Sequence, residues 1–270
     1  MNTTDAAGVR LTRAGDEALA LRKQRGLWGD AFHRLSKNRL ALSALFVLLA
    51  VGALVIAGNY VDVVQRNEPA FQNRGDQFAA PSSEYFFGTD NLGRDNWARV
   101  MQGVLISLEI GIGAVAFEVV IGLLIGAAAA LGGRLSDNIL MRFTDLAIAF
   151  PDLLAIILLR AVLNERDWPI IGDDRLLVLF AIAFVGWTTI ARLVRGQMLS
   201  LAERDYVVAA RALGATRLRV VFQHMLPNTL GPVIVAATFG IPLAIFAEAV
   251  LGYIGFGLPP PTASLGRLVA

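Results

Sequence analysis

Five stretches of the chain are apolar over roughly the 20 residues that a helix needs to cross a bilayer. They run from Leu40 to Gly58, Val104 to Leu131, Phe143 to Leu163, Leu176 to Val194 and Leu230 to Ile254. Polar segments separate them: Gln65 to Arg99, Gly132 to Arg142, Asn164 to Arg175 and Arg195 to Asn228. This alternation predicts an all-α, polytopic transmembrane helical bundle with five visible spans. With 56% hydrophobic and 17% charged residues, a soluble domain of this length would leave most of its apolar surface without a partner, so lipid is the expected one. The lead is polar and charge-mixed through Asn38, too long and irregular for a cleavable signal peptide, and the first span is expected to stay as an anchor. Within the lead, Trp28, Phe32 and Leu35 fall at i, i+4 and i+7. That spacing suits a short helix in the inner headgroup region, although an ordinary polar lead accounts for these residues as well.

The net charge is only +2, and the basic residues cluster at the ends of apolar stretches instead of forming one polar face. They read as topology signals, and no nucleic-acid partner is expected. With the N-terminus inside, the segments 1–39, 132–142 and 192–228 carry 16 Lys and Arg, against 7 in 65–99 and 160–175. Lys and Arg enrich cytoplasmic segments, so a multi-pass protein with a cytoplasmic N-terminus is predicted. The expected divisions are a cytoplasmic tail (1–39), a first transmembrane helix (40–64), an extracytoplasmic segment (65–103) and a core (104–270) that contains a cytoplasmic segment at 205–228. Gly255 to Ala270 then lies outside, with Pro259-Pro260-Pro261 and no returning helix.

Candidate chemistry is sparse. Cysteine is absent and the two histidines, His33 and His224, sit in no metal-binding pattern, so no metal site is expected. Acidic residues within or near apolar spans are costly and usually face protein or water. They are Glu109, Glu118, Asp145, Asp152 and Glu248. Helix–helix hydrogen bonding accounts for most of them, and for Asp145 an i, i+3 pair with Arg142 suffices. Glu248 stands apart because it lies deep in the last span. Gly122 and Gly126 form a GxxxG pair, which lets another backbone approach closely without saying which one. Pro151 and Pro242 are expected to bend their helices or free carbonyls.

The segment Asp205 to Asn228 (DYVVAARALGATRLRVVFQHMLPN) carries the most local structure. Tyr206 to Leu213 is helix-compatible, Gly214 can end that helix in a left-handed conformation, and Thr216 can cap a second helix that runs to Leu226 before Pro227. A small-residue surface at Ala209, Ala210 and Gly214 would seat a partner closely, with Arg211, Arg217 and Arg219 supplying charge. A plain structured loop between two spans is the alternative.

The spacing of Ala209-Ala210, Gly214 and Leu226-Pro227 resembles the EAA signature of binding-protein-dependent ABC importer permeases, with Val208 in place of the glutamate that names it. Further matches follow in order along the chain. Gly88-Thr89-Asp90, Gly93-Arg94-Asp95, Arg99, Gly103 and Ser107-Leu108 resemble the C-type permeases of dipeptide and oligopeptide importers. So do Asp137, Met141-Arg142, Asp145, Phe150-Pro151, Trp187, Arg192, Arg195, Tyr206, His224 to Asn228, Glu248-Ala249, Gly255-Phe256-Gly257 and Ser264. Leu105 and Leu265 depart from that branch, which usually has arginine and tryptophan there. The family expects six spans where five are visible here.

The resemblance implies a type I importer permease fold, in which Asp205 to Asn228 forms the coupling helix that docks on an ATPase subunit. Tyr206, Ala209, Ala210, Arg211, Gly214, Ala215, Arg217, Leu226 and Pro227 would then form the ATPase-coupling surface, with Asp145, Pro151 and Glu248 as structural or path residues. The chain contains no GxxxxGK[ST] loop, and its two lysines, Lys23 and Lys37, follow nothing similar, so it is not itself the ATPase. No catalytic residue or cofactor is expected here; ATP and Mg belong to partner subunits. The implied partners are a second related permease, two ATPase subunits and an extracytoplasmic substrate-binding protein that contacts the outer surface, in a bacterial or archaeal inner membrane. The implied cargo is small peptides, with nickel, glutathione or sugars, which relatives of that branch carry, as alternatives. A secondary transporter or channel using intramembrane carboxylates is the alternative, and five spans without a visible inverted repeat fit it poorly.

Overall fold

The computed structural model describes residues 27–164 and 173–269, which are mostly helical, with a long irregular segment at 66–95 and otherwise short connections. The chain divides into two compact units, residues 1–54 and 55–270. The first contains helix α1 (Leu27–Lys37) and most of α2 (Arg39–Tyr60). Asn38 separates these two helices and caps the second, its Oδ1 accepting from the amides of Leu40 at 3.1 Å and Ala41 at 3.2 Å. Helix α1 occupies the place of the expected interfacial helix, and its Phe32 is exposed.

The second unit holds α3 (Asp62–Gln65), α4 (Asn96–Leu131), α5 (Gly133–Ala149), α6 (Asp152–Asn164), α7 (Asp174–Ala202), α8 (Asp205–Ala212), α9 (Arg217–Val220), α10 (Leu226–Tyr253) and α11 (Leu265–Val269). Helices α4, α7 and α10 pack on one another and form the core, with α6 against α7 and α11 against α4 and α10. The GxxxG pair of α4 finds its partner in α7. A Cβ on Gly122 would lie 2.6 Å from that of Ile190, and one on Gly126 2.5 Å from the Ala191 carbonyl oxygen, so only hydrogen at both positions permits this approach.

Among the described residues four helices are long and apolar enough to cross a membrane: α2, α4, α7 and the continuous run Arg217–Tyr253. The expected third span is not one helix. Helices α5 and α6 are bent by 90° across Phe150 and Pro151, and counting them as one broken crossing brings the number to five. Proline has no amide hydrogen and its ring excludes the preceding residue from helical geometry, so the helix stops at Ala149 and restarts at Asp152. Pro242, by contrast, sits inside an uninterrupted α10. One further expectation is corrected. The helix of the second span starts at Asn96, capped by Asp95, whose side chain accepts from the Trp97 amide at 2.8 Å. After Pro259-Pro260-Pro261 the chain forms a five-residue helix, α11, too short to cross a membrane, which lies against α4 and α10.

Candidate functional site: the elbow and the buried carboxylates

Helix α8 ends as its residues dictate. Gly214 has φ +85°, the Ala215 amide donates to the Ala210 carbonyl at 3.0 Å, and the Gly214 amide donates to that of Arg211 at 3.0 Å. This is the Schellman closure, in which a glycine in the left-handed region satisfies the last carbonyls of a helix. Thr216 then caps α9, its hydroxyl oxygen accepting from the Arg219 amide at 3.4 Å.

The residues of the elbow predict that its second helix stops before Pro227, and it does not. A π-helical turn at Val221–Met225 joins α9 to α10, so Arg217–Tyr253 is one 37-residue helix. Pro227 cannot donate to the Gln223 carbonyl, and the wider turn absorbs that missing bond. Asn228 Nδ2 and Thr229 Oγ1 donate to the carbonyls of His224 at 2.6 Å and Met225 at 2.9 Å. The elbow is thus helically continuous with the last span. It is also anchored sideways: Val207 of α8 and Val220 of α9 are buried in a cluster with Val194 and Met198 of α7.

The residues named for coupling divide into three groups, with Tyr206 apart from them. Ala210, Gly214 and Ala215 line a groove of about 310 Å³ together with Leu213, Arg219, Gln223 and His224. Ala209, Arg211 and Arg217 are exposed but outside that groove, and Leu226 and Pro227 are half-buried in the start of α10. Tyr206 stands edge-on to His224, ring centroids 6.3 Å apart. Sequence reasoning missed the exposed apolar side chains Val208, Leu213, Leu218 and Phe222. Their signal was there, since apolar residues in a charged, water-facing segment mark a surface awaiting a partner.

The structure separates the intramembrane acids by what faces them. Asp145 does not pair with Arg142; Arg192 of α7 donates to it at 2.6 Å, because the packing of α5 on α7 supplies a nearer guanidinium. One turn on, Arg195 forms a two-pronged ion pair with Asp137, its second bond 2.6 Å long. Glu109 meets Arg175 at 3.3 Å. Glu248 is fully buried, and its Oε2 accepts from Ser107 Oγ at 2.7 Å, while Oε1 has no partner among the described residues. Glu118, also buried, accepts no hydrogen bond from any described residue and lines a cavity of about 420 Å³. An acid at mid-membrane costs on the order of 3 kcal/mol. Among the described residues no group of three His, Cys, Asp or Glu side chains is placed to hold a metal ion.

On the opposite side of the membrane-crossing helices, the segment before α4 is organised by Asp90. Its carboxylate accepts from the Leu92 amide at 2.8 Å and the Arg94 amide at 3.0 Å, and pairs with Arg94 and Arg99. Burial opposes ionisation, but these amides and the Arg94 guanidinium outweigh it and hold the carboxyl below its ordinary range. Phe86 and Phe87 pack edge-on against Trp97.

Residues 119–270 match the family of binding-protein-dependent transport system inner membrane components. The chain belongs to that family. Residues 26–81 match the N-terminal transmembrane domain of oligopeptide transport permease C. The oligopeptide transport system permease protein OppC of Bacillus subtilis is 36% identical over 95% of this chain and 81% of its own length. The dipeptide transport system permease protein DppC of the same organism is 36% identical over 88% of this chain and 71% of its own. A putative peptide permease protein of Brucella suis is 39% identical over 88% and 75%. A crystal structure described as an amino acid ABC transporter with histidines aligns with TM-score 0.49 at 18% identity, covering 63% of this chain and 75% of that one. The protein is therefore a multi-pass inner-membrane permease, a transport component of an ABC importer, built as a helical bundle.

Proposed function

We propose that this permease forms half of the path by which an importer carries short peptides across the inner membrane, and that it transmits to that path the work of separate ATPase subunits. The observation that carries the mechanical part is the elbow at Asp205 to Met225. It projects exposed apolar residues around a groove, is continuous with α10 through the π turn, and is pinned to α7 by Val207 and Val220. A push on the groove therefore moves two core helices together instead of being absorbed in a loop.

Tyr206, Ala209, Ala210, Arg211, Gly214, Ala215 and Arg217 form the contact with the ATPase, and Leu226 and Pro227 form the joint behind it. Two ATPase chains bind ATP and Mg, and a second, related permease completes the path. A substrate-binding protein delivers cargo to the extracytoplasmic segment at 65–103. The excess of Lys and Arg in 1–39, 132–142 and 192–228 supports a cytoplasmic N-terminus. The names of the relatives support peptides as cargo.

Purification in mild detergent tests the assembly, and reconstitution tests the activity. The chain is expected to co-purify with a P-loop ATPase and a second permease, and the assembly to take up trialanine in liposomes only with ATP and the binding protein. Uptake by this chain alone, without ATP, would overturn the reading.

A further inference from the structure

The two buried glutamates of the bundle are not equivalent. Glu248 has a hydroxyl donor built against it, whereas Glu118 has none and opens on a cavity of about 420 Å³ between α4, α6, α7 and α10. That volume is within the range of small-molecule sites, about 300–1,000 Å³. The lining is mainly apolar, and its other polar side chains are Asp152 at the start of α6 and Thr189 of α7.

The helices around Glu118 are shaped for its carboxylate. A Cβ on Gly186 of α7 would collide with both carboxylate oxygens, and a Cβ on Gly240 of α10 would stand 3.9 Å from Oε2. Two facing helices thus lack side chains where the acid sits, and nothing they carry neutralises it. All three positions lie well inside long apolar helices, where an unpaired carboxylate is retained only against a cost.

We infer that Glu118 receives a protonated primary amine of the cargo, the amino terminus of a short peptide, as it moves through this cavity. This rests on the peptide-importer reading above. An ammonium group is compact, carries three donors and no acceptor, and matches a lone carboxylate flanked by glycines. The second acid, Asp152, adds charge of the same sign, and the apolar walls suit the remainder of a small peptide. A divalent metal is served poorly, since no third ligand stands by among the described residues.

The assembled complex in lipid nanodiscs, without the binding protein, is probed by saturation-transfer NMR with trialanine and N-acetyl-trialanine at equal concentration. The wild type is expected to favour trialanine by about tenfold, the scale of one charge-assisted contact. Glu118→Gln is expected to remove that preference. Should this variant fail to assemble, Gly186→Ala, which crowds the carboxylate, takes its place. No amine preference in the wild type, or a preference that survives substitution, overturns the inference. ATP-driven trialanine uptake by the wild type separates the two readings: with uptake intact and no amine preference only this inference falls, and without uptake both fall.

Discussion

Ser107 of α4 donates to Glu248 of α10 at 2.7 Å across 141 residues of sequence, and the same hydroxyl accepts from the Leu265 amide of α11 at 3.4 Å. One hydroxyl therefore ties three helices around a fully buried acid. Ser107→Ala leaves the carboxylate without its donor and is expected to destabilise the bundle by about 1–3 kcal/mol. Thermal unfolding in detergent should show a drop of about 2–4 °C per kcal/mol. Glu248→Gln, which discards the charge and keeps an acceptor for Ser107, is expected to cost less than Ser107→Ala.

Glycines in this protein divide into those that are crowded and those that are free. Gly126→Leu drives a side chain into the Ala191 carbonyl and Val194, and overpacking of that kind costs about 1–3 kcal/mol or more. Gly196 lies in α7 with open space where a methyl group would stand, no atom coming within 4 Å of it. Gly196→Ala is expected to be neutral or to stabilise by up to about 1 kcal/mol through helix propensity. Unfolding midpoints of the two variants should move in opposite directions or leave Gly196→Ala unmoved.

Gly214 faces open space, so its substitution acts through the backbone alone. A non-glycine residue at φ +85° costs about 1–2 kcal/mol, which shifts the turn between α8 and α9 without disturbing the core. Gly214→Leu should leave the protein in the membrane while ATP hydrolysis by the complex no longer drives uptake. Parallel ATPase and uptake assays check this, and unchanged coupling would remove Gly214 from the docking surface.

The segment before α4 is expected to loosen in acid. Asp90 has its carboxyl held below the ordinary range, so its contribution is complete above the pKa of the unfolded chain, near about 3.9. It is lost as pH falls through the lower folded value. Hydrogen exchange of the Asp90 to Arg94 amides should stay slow down to about pH 4 and accelerate below it. In Asp90→Asn the exchange should be fast at neutral pH and lack this acid step.

The order of residues was enough to specify the apolar stretches and their succession, because an uninterrupted apolar stretch of membrane length has few other ways to satisfy its backbone. It also specified the local turn chemistry at Gly214 and Thr216, where cap and breaker residues act over three or four positions. Ordered motifs from Gly88 to Ser264 identified the family. What lay beyond that reach was decided by tertiary structure. Spacing gave Asp145 a partner in Arg142, but helix packing brought Arg192 closer. Pro151 and Pro242 are the same residue in similar apolar surroundings, yet one breaks its helix by 90° and the other is carried inside α10. Pro227 looked like a stop and proved to be a joint. Glu248 stood apart in the sequence by its depth in the last span, but only the packed helices gave it a serine and gave Glu118 a cavity between two glycines. For the acids the deciding partner is dozens of residues away or the deciding space lies between helices, and neither is encoded in the few residues on either side.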